Sequence, residues 1–153
     1  LNRHLPPLLE RDEFATMFYG IIDTDANCLL YASAAVQPAL LFTKTETAPV
    51  TLHGRGFPLG VIANAAYDTK YTPFTYGDML LLYSDCLIET KNNKNEYITE
   101  QQLKDHLSTA MKEQPKNPAR HCVDLLLQTF KAHCSDPIKD DITINAYWRC
   151  TKD

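Results

Sequence analysis

Two places in the chain put carboxylates where a rigid scaffold could hold them. In "GDMLLLYSDCLIET", Gly77 to Thr90, an apolar run with a tyrosine reads as a buried strand that ends by delivering Asp85. In "DDITINAYW", Asp140 to Trp148, the pair Asp140 and Asp141 opens a second strand whose Ile142, Ile144 and Ala146 alternate onto one face. Strand ends at a sheet rim are rigid, and carboxylates placed there can converge on a hard cation such as magnesium or manganese, which takes oxygen ligands. Aspartates also begin and end strands because they suit turns, and the long stretch of chain between Asp85 and Asp140 establishes no proximity.

The other reactive side chains point elsewhere. The cysteines, Cys28, Cys86, Cys122, Cys134 and Cys150, are odd in number and widely spaced, without the short paired spacing of a zinc or redox motif, and read as reduced thiols of a cytoplasmic protein. His121-Cys122 and His133-Cys134 fall in one predicted helix, where their separation spans roughly 18 Å, too far to share an ion. Cys86 reads as a small core residue rather than a nucleophile. His53 reads as a surface histidine, and Asp78 as a turn residue ahead of its strand. Tyr19, Tyr31 and Tyr83 read as core aromatics with their hydroxyls satisfied at a rim.

Those residues need a scaffold, and the composition bounds it. A chain of 153 residues supports one core, so residues 1–153 read as a single domain. Hydrophobic residues at 44% and charged residues at 22% are ordinary for a globular fold, and no apolar run approaches the roughly 20 residues of a membrane helix. A net charge of -4 with scattered lysine and arginine leaves no basic stripe, which argues against nucleic acid as a partner. The opening "LNRHLPPLLE", without an initiator Met, reads as a piece of a longer protein.

"FATMFYGIID", Phe14 to Asp23, followed by "DTDAN" and "CLLYASA", predicts a hairpin of two largely buried strands. "PVTLH" and "YTPF" predict further strands, and "GRGFPLG", Gly54 to Gly60, a constrained loop. At Thr99 the pattern changes. Thr99 and Gln102 have capping-box spacing, with Leu103, Leu107, Ala110 and Met111 on one helical face. Asn117-Pro118 starts a second helix with Cys122, Val123, Leu126 and Phe130 as its inner stripe. "KNNKNE" reads as a solvated turn. Strands, two helices and a strand predict an α+β layered domain of antiparallel sheets with flanking helices.

"FATMFYGIID", "LLYASAAVQPALL", "GFPLG", "GDMLLLYSDCLIET" and "KDDITINAYWR" occur in the order, and at about the spacing, of the SpoIIE/RsbU-like serine phosphatases, bacterial members of the metal-dependent type 2C superfamily. The chain resembles them over essentially its whole length. The resemblance implies an α-β-β-α sandwich, incomplete at its N-terminus, with a dinuclear manganese or magnesium site. It implies Asp85 and Asp140 as metal ligands, with Asp141 in support behind them. It also implies missing partners, because the family's other ligands lie on glycine-aspartate blocks upstream of "LNRHL", so this chain alone should hold one ion weakly. Two departures stand out. Relatives have alanine-glycine-histidine-proline where this chain has "AAVQP", placing Ala35 at the glycine and Val36 at the histidine. The glycine that follows the metal-binding aspartate is Cys86, a strained substitution if that position has positive φ.

The resemblance implies a metal-dependent protein serine/threonine phosphatase acting on a phosphorylated regulatory protein such as an anti-sigma-factor antagonist, behind an upstream receiver or sensor domain. The alternative is a catalytically inactive, protein-binding adaptor, favoured by Val36 and Cys86. A sheet edge or apolar face left bare would also favour a homodimer.

Overall fold

The computed structural model describes residues 1–10, 13–134 and 140–150. Its elements run β1 (Met17–Asp23), β2 (Cys28–Ala34), β3 (Ala39–Phe42), β4 (Val50–Leu52), β5 (Lys70–Pro73), β6 (Met79–Tyr83), α1 (Cys86–Glu89), α2 (Glu100–Lys112), α3 (Pro118–His133) and β7 (Ile144–Trp148). They form an antiparallel three-stranded sheet in the order β1-β2-β5 and a four-stranded sheet in the order β4-β3-β6-β7. Two antiparallel sheets with helices give the expected α+β class. The chain divides into two compact units, Leu1–Pro38 with Leu52–Thr75, and Ala39–Thr51 with the residues from Tyr76 on.

The second unit is built around the helices. Thr99 accepts from the Gln102 amide while the Gln102 side chain accepts from the Thr99 amide, a complete capping box, and Asn117 caps α3 through the Arg120 amide. Leu103 and Leu107 of α2 and Cys122, Leu126 and Phe130 of α3 pack with Leu40, Met79, Leu81 and Tyr83 of the sheet into one buried cluster. Ile142, Ile144 and Ala146 lie against it on one face, as their alternation predicts. Regular pairing of β7 starts at Ile144, opposite Tyr83, so Asp140 and Asp141 stand ahead of the strand rather than in it.

The first unit differs from expectation. β2 is buried along most of its length, but β1 is exposed at five of its seven residues. The paired register places Met17, Tyr19 and Ile21 on one face with Leu30 and Tyr71, and β1 is an edge strand. Tyr19 is therefore a surface side chain, 60% exposed, whereas Tyr31 and Tyr83 are buried as expected. Burial pushes the Tyr31 hydroxyl's pKa up. The Tyr83 hydroxyl is buried without a hydrogen-bond partner among the described residues, rather than satisfied at a rim.

The glycine loop is constrained as predicted. A Cβ at Gly56 would lie 2.6 Å from the Ser33 carbonyl oxygen, so the loop can lie this close to β2 only with glycine there.

Candidate functional site

The apolar run of the opening motif ends as strand at Tyr83. Ser84 bridges, and Asp85 is the N-terminal flanking residue of α1, at φ −59 and ψ −25. Its carboxylate caps no helix amide and is exposed. Cys86 is the first residue of α1 and is not at positive φ, so the strain considered for it does not arise. That strain falls instead on Ala35, at φ 53, the other position where the family pattern has glycine.

The sheet brings the segments of Asp85 and Asp140 together. The Ser84 amide donates to the Thr143 carbonyl at 2.9 Å, one step beyond the last regular pair, Tyr83 with Ile144. The Cys86 thiol donates to the Asp140 carbonyl at 3.6 Å and lies the same distance from the Thr90 hydroxyl. Asp140 is exposed, and its carboxylate accepts from the Asp141 amide at 2.8 Å, which limits its rotation. No ion pair to Asp85, Asp140 or Asp141 occurs among the described residues.

These oxygens fit a hard cation by type, being exposed carboxylates with no ion-paired cationic side chain among the described residues. They do not complete a shell. No group of three or more His, Cys, Asp or Glu able to hold a metal occurs among the described residues. Three thiols, Cys28, Cys86 and Cys122, are buried away from any substrate, whereas Cys150 is exposed. All the described cysteines are free, and burial drives Cys122 up to about 12. Cys134, beyond the end of α3, is raised by desolvation and by Cys86. Cys86 itself is buried against the Asp140 backbone. His53 is exposed, as expected. Asp78 does precede its strand, but it is buried, its carboxylate accepting from the Lys44 amide at 3.3 Å. Buried Arg149 lies over the Tyr76 ring, 4.4 Å from its centre.

The first unit holds a cavity of about 500 Å³ lined by Met17, Tyr19, Ala32, Leu59 and Tyr67 among others. Its lining includes no carboxylate or thiol among the described residues, and so shows no hard-metal chemistry there.

Residues 1–147 match the family model described as Stage II sporulation protein E (SpoIIE). The chain belongs to the SpoIIE family. It is 29% identical over 147 residues to phosphoserine phosphatase RsbU of Bacillus subtilis, covering 94% of this chain and 42% of that protein. With protein IcfG of Synechocystis sp. it shares 26% identity over 137 residues, 89% of this chain and 21% of that one. This SpoIIE-family chain thus spans less than half the length of these curated relatives. Among solved structures, the RsbU and RsbW domains of Rv1364c from Mycobacterium tuberculosis superpose with a TM-score of 0.77 at 23% identity, over 97% of this chain and 40% of that one. The manganese-presoaked phosphatase domain of SpoIIE from Bacillus subtilis gives 0.66 at 17% identity, over 97% and 63%. These likenesses establish the type 2C phosphatase fold.

Sequence reasoning named both aspartates and missed Ser84 and Thr143, which join their segments. The signal was present, since a hydroxyl residue stands one position before Asp85 and three after Asp140.

Proposed function

We propose that the chain is part of a manganese- or magnesium-dependent protein serine/threonine phosphatase, in which Asp85 and Asp140 are metal ligands and Asp141 supports them. The observation that carries this reading is the joining of the two aspartate segments by hydrogen bonds in a chain of the SpoIIE family. The substrate is a phosphoserine or phosphothreonine on a bacterial regulatory protein such as an anti-sigma-factor antagonist, encountered in the cytoplasm, with a receiver or sensor domain upstream. The bare edge of β1 is the surface through which two copies would pair as a homodimer.

A manganese or magnesium pair, when bound, supplies charge to clamp the phosphate oxygens and to acidify the attacking water. The chain's own contribution is to hold like charges together. Two exposed carboxylates near one another repel, and the backbone bonds between their segments set that arrangement before any cation arrives. The Asp141 amide fixes one Asp140 oxygen, and Asp85 has no capping role that would hold its oxygens back from a cation. No side-chain nucleophile is needed. Two carboxylates supply only part of the roughly six oxygens a hard dication takes, so affinity for metal in this chain alone is weak.

Manganese-dependent release of phosphate from a phosphoserine protein tests the reading, measured on this chain and on any longer product of its gene. Asp85→Asn is expected to reduce turnover beyond the roughly 10- to 100-fold that loss of a supporting partner costs. Metal-dependent turnover that survives Asp85→Asn overturns the assignment. The second reading, an inactive protein-binding adaptor, is favoured by half-buried Val36 where the family has histidine. Absence of turnover in a folded longer product, with Asp85→Asn binding its protein partner as well as the unaltered chain does, would establish that reading.

A further inference from the structure

β6 and β7 pair as far as Tyr83 and Ile144, and extending their register would place Ser84 opposite Thr143 and Cys86 opposite Asp141. A backbone ladder cannot continue that far, because Asp85 turns the chain into α1. Side chains take over. The Ser84 hydroxyl accepts from the Thr143 amide at 3.0 Å and donates to the Asp141 carbonyl at 3.1 Å. One step further the Cys86 thiol reaches the Asp140 carbonyl. With the Ser84 amide to Thr143, these bonds tie residues on either side of Asp85 to both residues of the Asp140-Asp141 pair and to Thr143.

We infer that Ser84, seconded by Cys86, is a positioning residue that holds the Asp85 and Asp140 carboxylates at a fixed separation for one cation. This rests on the proposal that those aspartates bind metal. The chemistry demands a hydroxyl at 84: one oxygen donates and accepts at once, which alanine cannot do and threonine can. Without the hydroxyl and thiol bonds, the β6-β7 ladder and the Ser84 amide still join the segments, but Asp140 and Asp141 lose their link to the Asp85 segment, and a weakly held ion must pay the cost of ordering them.

The test is a titration of the isotope-labelled 153-residue chain with Mn²⁺, following paramagnetic broadening of the amide resonances of residues 84–86 and 140–143. In the unaltered chain both segments are expected to broaden over the same Mn²⁺ range. Ser84→Ala should need roughly tenfold more Mn²⁺ and split the two segments into separate ranges, while Ser84→Thr restores the joint response. Cys86→Ala, which removes only the long thiol contact, should give a smaller shift in the same direction and serves if Ser84→Ala does not fold. Thr99→Ala, which removes the α2 cap far along the chain, should lower the thermal midpoint and leave the Mn²⁺ range unchanged, separating positioning from loss of stability. If Asp85→Asn abolishes broadening while Ser84→Ala, or Cys86→Ala in its place, behaves as the unaltered chain, the tether is overturned and the metal reading stands. If Asp85→Asn changes nothing, the metal reading is overturned and the tether with it.

Discussion

β1 and β6 are the same kind of sequence with opposite fates. "MFYGIID" and "MLLLY" are both apolar runs in which a methionine leads and a tyrosine appears, yet four of the five residues of β6 are buried while β1 is exposed at five of seven. The difference lies in what covers them. β6 is a central strand whose inward face meets α2 and α3, and Met79, Leu81 and Tyr83 join Phe130 and Leu107 in one cluster. β1 is an edge strand, and no α-helix belongs to its unit among the described residues. Apolar composition thus marks a strand without saying whether its face is covered, and the helices supply the cover.

The largest expected effect follows from that contrast. Phe130→Ala removes a fully buried ring from the helix-backed cluster and should cost about 3–5 kcal/mol, whereas Tyr19→Ala on the open face should fall within about 0.5 kcal/mol. Urea unfolding with an unchanged denaturant slope checks both. A Tyr19→Ala cost comparable to that of Phe130→Ala would mean that the β1 face is covered in solution, by a second copy or otherwise, and the contrast would collapse.

Alkaline pH sharpens the same comparison, because its strongest responders sit in the helix-backed unit. Burial pushes the Cys122 thiol up to about 12 from 9.0, and burial together with the charge of Glu100 pushes the Tyr83 hydroxyl up to about 12 from 10.0. An unfolded chain loses these protons from pH 9 and 10 upward while the folded chain keeps them. The folded state then binds more protons, so stability is complete below pH 9 and declines as pH rises toward 12. Urea midpoints measured across this window should fall. In Cys122→Ala the decline should be shallower and begin nearer pH 10, whatever the change in absolute stability from the lost sulfur. A decline of equal steepness in the variant would show that Cys122 does not stay protonated in the fold.

What the sequence disclosed follows the range of the interactions concerned. The starts of α2 and α3 were legible because a capping box at Thr99 and Gln102 and an Asn117-Pro118 start are signals read within four residues. The carboxylate pair was legible as two candidates. Their meeting was not, since it depends on a register, Tyr83 with Ile144, that no local spacing encodes. The error over β1 and Tyr19 is of the same kind: a run of apolar and aromatic residues cannot report whether another layer covers its face. The misplaced strain is subtler. Both Ala35 and Cys86 stand where the family pattern has glycine, and only the backbone tells that Cys86 begins a helix while Ala35 is left-handed.

That last distinction gives the smallest effect and the finest comparison of the two units. Each has a residue at positive φ beside a buried strand. Gly77, at φ 91, stands two residues before β6, and Ala35, at φ 53, follows the end of β2. In the helix-backed unit the position is filled by the residue without a Cβ, and in the open unit it is not. Left-handed backbone costs an alanine about 1–2 kcal/mol, and a glycine returns part of that gain through the freedom it adds to the unfolded chain, about 0.4–1 kcal/mol. Ala35→Gly should therefore stabilise by about 0.5–1 kcal/mol, seen as a raised urea midpoint. Gly77→Ala should destabilise, both because the conformation disfavours a Cβ and because that Cβ would collide with the Lys44 side chain. If Ala35→Gly lowers stability instead, the left-handed turn after β2 is not the conformation the chain holds in solution, and the departure from the family's glycine at that position carries no strain.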